Sequence, residues 1–150
     1  KVLHGITSIE EVLRVAEEKW ELLSLAKVTI MKTILLIEDD PFLIDIYVTK
    51  FEESGFSVEV ANDGESALRK LEEKKPDLVI LDIVLPQIDG WEILRKIKSS
   101  PGLKDLKVII LSNLGQKEEV ERGINLGSIK YLIKAHYTPS QVVEEIKSLL

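Results

Sequence analysis

The 150-residue chain contains no cysteine and only two histidines, His4 and His136. Without cysteine the protein can form no disulfide and use no thiol chemistry, a composition compatible with the cytoplasm. Two scattered histidines are too few for a histidine-based metal site, and we interpret each as a solvated loop residue. No apolar run approaches the roughly 20 residues of a membrane span, and residues 1–30 are charged throughout, unlike a signal peptide. We therefore expect a cytoplasmic protein.

Basic residues are also in deficit, since 20 Lys and Arg face 26 Asp and Glu for a net charge of −6. This balance argues against direct binding of nucleic acid or anionic membranes by the chain itself. The hydrophobic fraction of 45% and the charged fraction of 31% are instead typical of a soluble globular protein. The length is sufficient for one domain with a proper core.

From residue 32 onward, short apolar runs alternate with amphipathic segments. Runs at 33–37, 56–60, 78–81, 108–111 and 129–133 are predicted strands, and each is followed by a predicted helix. Asp40-Pro41 is typical of a helix start, with the acid as cap and proline at the first helical position. The buried stripe of that helix is predicted to contain Phe42, Leu43, Ile46, Tyr47 and Phe51. Five strands alternating with five helices predict an α/β fold whose parallel sheet is covered on both faces.

Four of the apolar runs end in polar side chains. Glu38-Asp39-Asp40 follows the first run, Asp82 the third, Ser112 the fourth and Lys134 the fifth. Taken singly, each has an ordinary explanation as a turn acid, a loop hydroxyl or a surface charge. The carboxyl ends of parallel strands, however, meet at one edge of the sheet, which is where ligands bind in open α/β folds. The coincidence of four strand ends predicts a single site.

The residue types of this site indicate phosphoryl chemistry. Three clustered carboxylates, Glu38, Asp39 and Asp82, repel one another unless a cation is present. With no histidine or cysteine nearby, the cation should be a hard one, Mg²⁺ first and Mn²⁺ next. Magnesium in turn suggests a phosphoryl substrate, with the central Asp82 as nucleophile forming an acyl phosphate. Ser112 and Lys134 supply a hydroxyl and an ammonium suited to phosphoryl oxygens.

These motifs resemble those of the receiver domain of two-component response regulators. The resemblance covers residues 32–150. It implies a flavodoxin-like five-stranded sheet of order 2-1-3-4-5, in a signalling domain that self-phosphorylates and self-dephosphorylates with Mg²⁺ but is otherwise no enzyme. The matching segments are Ile-Leu-Leu-Ile-Glu-Asp-Asp-Pro at 34–41, Asp-Leu-Val-Ile-Leu-Asp-Ile-Val-Leu-Pro-Gln-Ile-Asp-Gly at 77–90, Leu-Ser-Asn at 111–113 and Tyr-Leu-Ile-Lys at 131–134.

The resemblance also implies a role for each residue of the acidic site. Asp82 would be phosphorylated by a histidine kinase or a histidine phosphotransfer protein. Asp39 would bind Mg²⁺ directly and Glu38 through water, and the backbone carbonyl of Val84 would be a further metal ligand. Asp40 corresponds to a variable third acid, to which we assign no role.

The implied switch involves three further residues. Ser112 would move toward the phosphoryl group, Tyr131 would turn inward, and Lys134 would contact the phosphate. The face formed by 117–126, 129–133 and 138–149 (the fourth helix, fifth strand and fifth helix of the alternation) would then contact an output protein.

Three residues depart from the common pattern of the resembled family. Asn113 stands where a small residue is common, which could narrow access to the phosphate or alter its lifetime. Ser112 replaces the commoner threonine and keeps the donor. Ala135 follows Lys134 where many members have a cis proline, so the geometry of that bond stays open.

Residues 1–30 lie outside the alternation and are interpreted as a helical extension and linker before a receiver at 31–150. Thr7 or Ser8 with Glu10 or Glu11 resembles a capping box for a helix over 9–26. Its apolar face would comprise Ile9, Val12, Leu13, Ala16, Trp20 and Leu23. Residues 5–15 are similar to the carboxyl tail of secretion and pilus-assembly ATPases, which would make the chain a receiver piece of an ATPase fusion. Alternatively the helix docks on its own receiver or pairs with a second copy in a homodimer.

Two other function classes remain to be weighed. An aspartate-nucleophile phosphohydrolase needs a second acid two residues after the nucleophile, and position 84 is valine. A receiver-like interaction module that is never phosphorylated is an alternative that labelling of Asp82 would test. No output domain follows residue 150, so we expect the output to be another protein or a domain outside this sequence.

Overall fold

The computed structural model describes residues 11–22 and 31–150. The chain divides into two compact units, Lys1–Met31 and Lys32–Leu150. In the first unit, helix α1 is described over 11–22, and its side chains Val12, Leu13 and Trp20 are exposed. Both ends of the predicted 9–26 helix, with the capping box at Thr7 or Ser8, lie outside the described residues. Among the described residues, no helix is long and apolar enough to cross a membrane.

The second unit is built on a five-stranded sheet within residues 31–150. Every neighbouring pair of strands is parallel and the order is β2-β1-β3-β4-β5, which confirms the predicted α/β, flavodoxin-like topology. Each β3 residue is buried, as expected for a strand covered on both faces. The strands are β1 Thr33–Ile37, β2 Ser57–Ala61, β3 Leu78–Leu81, β4 Lys107–Ser112 and β5 Lys130–Ile133.

Helices follow each strand and begin at capped positions. The side chains of Asp40, Asp63, Asp89 and Thr138 accept backbone N–H groups of the first turns of α2, α3, α4 and α6 respectively. Gln116, which precedes α5, makes no such bond within the described part of the chain. The helices are α2 Pro41–Glu53, α3 Gly64–Glu73, α4 Gly90–Ser99, α5 Lys117–Asn125 and α6 Pro139–Lys147, and a 3₁₀ turn covers Lys134–His136.

Alternating residues of β1 pack into two separate hydrophobic cores, one on each face of the sheet. Leu35 and Ile37 point to a core shared with α3 and α4, whereas Ile34 and Leu36 point to one shared with α2 and α6. The sheet is therefore sandwiched between two helical layers, as predicted. This packing leaves the carboxyl edge of the strands as the place where polar side chains can gather.

The structure corrects one member of the predicted α2 stripe. Tyr47 and Phe51 are buried, but Phe42 is 70% exposed. At 3.6 residues per turn, Phe42 lies roughly half a turn around the helix from the buried Phe51, so it is on the face of α2 opposite the core. Phe56, predicted to begin β2, lies just before it and packs edge-on against Phe51, with ring centroids 6.0 Å apart.

Candidate functional site: an acidic cluster bridged by a lysine

The acidic cluster forms because β1 and β3 are adjacent and in register. Ile37 pairs with Leu81, and the N–H of Asp82 donates to the carbonyl of Ile37 at 3.0 Å, so the acids after each strand lie side by side. Carboxylate oxygens of Glu38, Asp39 and Asp82 lie within 4.8 Å of one another. Glu38 and Asp82 are buried, while Asp39 is exposed. The structure thus brings together the three acids named from the sequence.

Lys134 bridges the two buried acids. Its Nζ lies 2.6 Å from Glu38 Oε2 and 2.9 Å from Asp82 Oδ2, and its side chain is 10% exposed. Burial alone would lower the pKa of Lys134, but its bonds to Glu38 and Asp82 outweigh burial and hold that pKa above its ordinary value. Lys134 is therefore a charged partner of the cluster at neutral pH. Among the described residues no peptide bond is cis, so Lys134–Ala135 is trans.

The two acids of β1 are held differently. Glu38 Oε1 accepts the backbone N–H groups of Asp39 and Asp40, both at 3.2 Å, while Oε2 faces Lys134. Burial raises the pKa of Glu38, and the bond to Lys134 offsets this only in part. Asp40 points away from the cluster, because its carboxylate accepts Phe42 N–H at 2.9 Å as the cap of α2. Of the three clustered acids, Asp39 is thus the one exposed to solvent.

Asp82 lies at the centre of the cluster. Its Oδ2 faces Lys134, and its Oδ1 accepts the N–H of Val84 at 3.3 Å. Asp82 itself is buried, whereas Val84 in the loop that follows is 58% exposed. The candidate ligand atoms of the three acids are all carboxylate oxygens, which Mg²⁺ prefers, so these residues fit a hard divalent cation.

Ser112 and Tyr131 lie on the neighbouring strands β4 and β5. Ser112 ends β4, is fully buried, and its Oγ accepts the N–H of Leu114 at 3.3 Å. The hydroxyl of Tyr131 donates to the carbonyl of Leu114 at 2.6 Å. Burial raises the pKa of Tyr131, and the nearby charge of Glu119 raises it further. Asn113, which lies between Ser112 and Leu114 in the sequence, is exposed.

Two contributors to this region were missed from sequence. Leu114 takes part through its backbone carbonyl, for which no side-chain signal exists. Gly90 begins α4 directly against the backbone of Asp82 and Ile83, because a Cβ there would lie 2.4 Å from the carbonyl oxygen of Asp82. The Asp-Gly pair at the helix start was a usable signal for Gly90, since a glycine at such a place permits close backbone approach.

Comparison with known proteins agrees with this geometry. The response regulator receiver domain family matches residues 34–147. The alkaline phosphatase synthesis transcriptional regulatory protein PhoP of Bacillus subtilis (strain 168) is 34% identical over 121 residues, which cover 79% of this chain and 48% of PhoP. The chain thus spans about half the length of this curated relative.

Solved structures show the same fold. A CheY-like response regulator receiver domain protein from Methanospirillum hungatei JF-1 is 31% identical with a TM-score of 0.71, covering 79% of this chain and 93% of that one. The Mn²⁺-bound form of the response regulator Rcp1 is 28% identical with a TM-score of 0.72, covering 78% and 92% respectively.

The chain belongs to the response regulator receiver domain family. It is a domain of two-component phosphorelay signalling, which confirms the function predicted from the motifs. Members of this family are signalling domains rather than enzymes in general, they interact with histidine kinases, and they bind Mg²⁺ at an acidic pocket.

Proposed function

We propose that Asp82 accepts a phosphoryl group from a phosphohistidine of a sensor kinase or a histidine phosphotransfer protein. The observation that carries this proposal is the bridge from Lys134 to Asp82 and Glu38, beside the exposed Asp39. A carboxylate at the sheet edge with a fixed ammonium within 3 Å combines a nucleophile with a partner for phosphoryl oxygens.

The transfer requires one bond to form and one to break. An oxygen of Asp82 bonds to phosphorus as the phosphorus–nitrogen bond of the phosphohistidine breaks, and the bond electrons return to the imidazole. Lys134 holds the carboxylate in place and remains close enough to pair with the oxygens of the transferred group. Bound Mg²⁺ would supply charge neutralisation for the acids and the phosphoryl oxygens.

The metal would be held by oxygen ligands of this chain. Asp39 and Asp82 would bind it directly, together with the backbone carbonyl of Val84. Glu38 would act through water, since its Oε1 already accepts two backbone N–H groups and its Oε2 pairs with Lys134. Mn²⁺ is the second candidate, and the Mn²⁺-bound structure of Rcp1 supports this choice. With the metal the domain would also phosphorylate itself from small phosphodonors and lose the group by self-catalysed hydrolysis.

Phosphorylation would be coupled to the output face through Ser112 and Tyr131. Ser112 would move toward the phosphoryl group, Tyr131 would occupy the inward position that it has in this structure, and the face of α5, β5 and α6 would contact an output protein. Exposed Asn113 would line the approach to the phosphate and tune its lifetime. We place the protein in the cytoplasm, as is typical of response regulators.

Labelling with acetyl phosphate and Mg²⁺, read as a mass increase of intact protein, tests the proposal. Wild type should label, and chelation of Mg²⁺ or Asp82→Asn should abolish the labelling. Asp77→Asn is the matched control, because Asp77 precedes the same strand at the opposite edge, where its carboxylate accepts Thr33 N–H at 2.7 Å. Absence of labelling in wild type, or equal labelling of Asp82→Asn, would leave the phosphorylation-independent interaction module instead.

A further inference from the structure

Gly123 is buried where α5 crosses the sheet, and it is the sole buried residue in the described range Lys117–Asn125. It lies over Ile110 and Tyr131, which are paired across β4 and β5. A Cβ added at this glycine would lie 2.6 Å from Ile110 Cδ1 and 2.8 Å from Tyr131 Cδ2. Carbon atoms pack favourably at about 3.5–4.0 Å, so no side chain fits while both neighbours hold their positions.

The backbone does not explain this glycine. Gly123 is an interior residue of a regular helix, and the described glycines with positive φ are Gly55 and Gly127. Glycine inside a helix costs about 1 kcal/mol relative to alanine. What the residue provides is therefore space, and the space is filled by the ring of Tyr131 and the tip of Ile110.

The inward position of Tyr131 connects to the switch serine through one residue. Its hydroxyl donates to the Leu114 carbonyl at 2.6 Å, and the N–H of Leu114 donates to Ser112 Oγ at 3.3 Å. Only the half-buried Tyr131 ring can leave toward solvent, because Ile110 is fully buried. A side chain at position 123 would accordingly displace the tyrosine and break its bond to Leu114.

We propose that Gly123 is a positioning residue of the switch, since it leaves the space in which Tyr131 lies inward and so sets how readily Ser112 engages a phosphoryl group. This inference rests on the proposed function, in which the inward tyrosine accompanies phosphorylation of Asp82. A variant that fills the space favours the outward ring and must weaken binding of any phosphoryl mimic by the fraction of inward protein that is lost.

The test compares Gly123→Ala with Gly102→Ala, a glycine whose added Cβ would meet no atom of the described residues within 4 Å. Beryllofluoride with Mg²⁺ is titrated as the phosphoryl mimic, and ¹³C-labelled tyrosine spectra report the ring, with Tyr131→Phe giving the assignment. For Gly123→Ala we expect a solvent-like Tyr131 signal and beryllofluoride affinity weaker by roughly three- to tenfold, equivalent to about 1 kcal/mol. Gly102→Ala should match wild type in both.

Double variants decide whether the effect passes through the tyrosine. In a Tyr131→Ala background, where the ring is gone and the variant has no ring clash to disturb folding, Gly123→Ala should no longer change beryllofluoride affinity. Adding Ile110→Val to Gly123→Ala should not restore wild-type affinity. Restoration by Ile110→Val, or either readout of Gly123→Ala equal to that of Gly102→Ala, overturns the inference.

Acetyl phosphate labelling separates this inference from the proposed function. Gly123→Ala keeps every residue of the acidic cluster and should still label on Asp82 at saturating donor. Wild type that does not label refutes the proposed function, whereas labelling with unaltered beryllofluoride affinity in Gly123→Ala refutes only the role of Gly123.

Discussion

Replacing Lys134 with methionine should destabilise the protein far more than removing an ordinary surface lysine. Methionine keeps much of the side-chain volume but removes the ammonium between Glu38 and Asp82. The control is Lys130→Met, because Lys130 pairs with Glu145 and both side chains are about one-third exposed. Lys134→Met thus removes two buried ion pairs, whereas Lys130→Met removes one partly solvated pair.

The expected loss of stability in Lys134→Met follows from the burial of the three charged side chains. The side chains of Lys134, Glu38 and Asp82 are 10%, 2% and 7% exposed. Removing one partner of a buried charge pair costs about 3–5 kcal/mol, so we expect about 3 kcal/mol for Lys134→Met. The lower end applies because Glu38 can take up a proton in the folded variant. Lys130→Met should cost about 1 kcal/mol or less, as for exposed pairs.

The stability of Lys134→Met should also depend on pH and on Mg²⁺, which gives two further tests of the same reasoning. Burial raises the pKa of Glu38 above its unfolded value, and loss of Lys134 removes the bond that opposed this. The folded variant therefore binds a proton more tightly than the unfolded chain, so its stability must rise as pH falls from 7 toward 5. Mg²⁺ should also stabilise Lys134→Met more than wild type, because it would replace the missing positive charge.

Urea unfolding followed by circular dichroism, in chelator and in Mg²⁺, measures all three effects. Wild type, Lys134→Met and Lys130→Met are compared at pH 7 and pH 5. The reasoning fails if Lys134→Met loses no more stability than Lys130→Met, or if its deficit grows on acidification.

Three shorter predictions concern the surroundings of the site. Gly90→Ala should cost about 2 kcal/mol in urea unfolding, because its Cβ would lie 2.4 Å from a backbone oxygen, whereas Gly102→Ala should change little; equal losses would contradict this. Gln87→Gly should raise stability by about 0.5–1 kcal/mol, since Gln87 has a φ of 67°, and lower stability would refute it. Glu119→Gln should lower the raised pKa of Tyr131 in an ultraviolet titration; an unchanged titration would show that the Glu119 charge does not reach the phenol.

The strands and the site were predictable because the relevant signals are local. A strand covered on both faces must be apolar throughout, as Leu78–Leu81 is, and such runs stand out in the sequence. Parallel strands then place their carboxyl ends at one edge, which is why Glu38, Asp82 and Lys134 could be grouped before any coordinates were known. The grouping needed only strand direction, and no exact contact.

What escaped prediction depends on contacts between distant elements. The acceptor of the Tyr131 hydroxyl is a backbone carbonyl, that of Leu114, which leaves no trace in residue type. Gly123 likewise reads as a weak point in a helix until the ring of Tyr131 is seen beneath it.

The helices α4 and α5 differ in how many of their residues are buried against the rest of the domain. The described residues of α4 include five that are buried, among them Ile93, Leu94 and Ile97, and its first N–H donates to the Ile83 carbonyl at 2.8 Å. Burying each such aliphatic side chain is worth about 1.5–3 kcal/mol, so displacing α4 would cost several kcal/mol. Among the described residues of α5, only Gly123 is buried.

A helix anchored through a glycine can move at small cost. One contact of α5 with α4 is made by the exposed guanidinium of Arg122, which lies 4.3 Å from the centroid of the Trp91 ring. A cation–π contact of this kind is worth about 0.5–1 kcal/mol. The backbone that follows Asp82 is thus fixed against α4, whereas among the described residues α5 buries only Gly123. A change at Asp82 should therefore appear as motion of α5 and the Tyr131 side of the sheet, because a disturbance moves the element that resists it least.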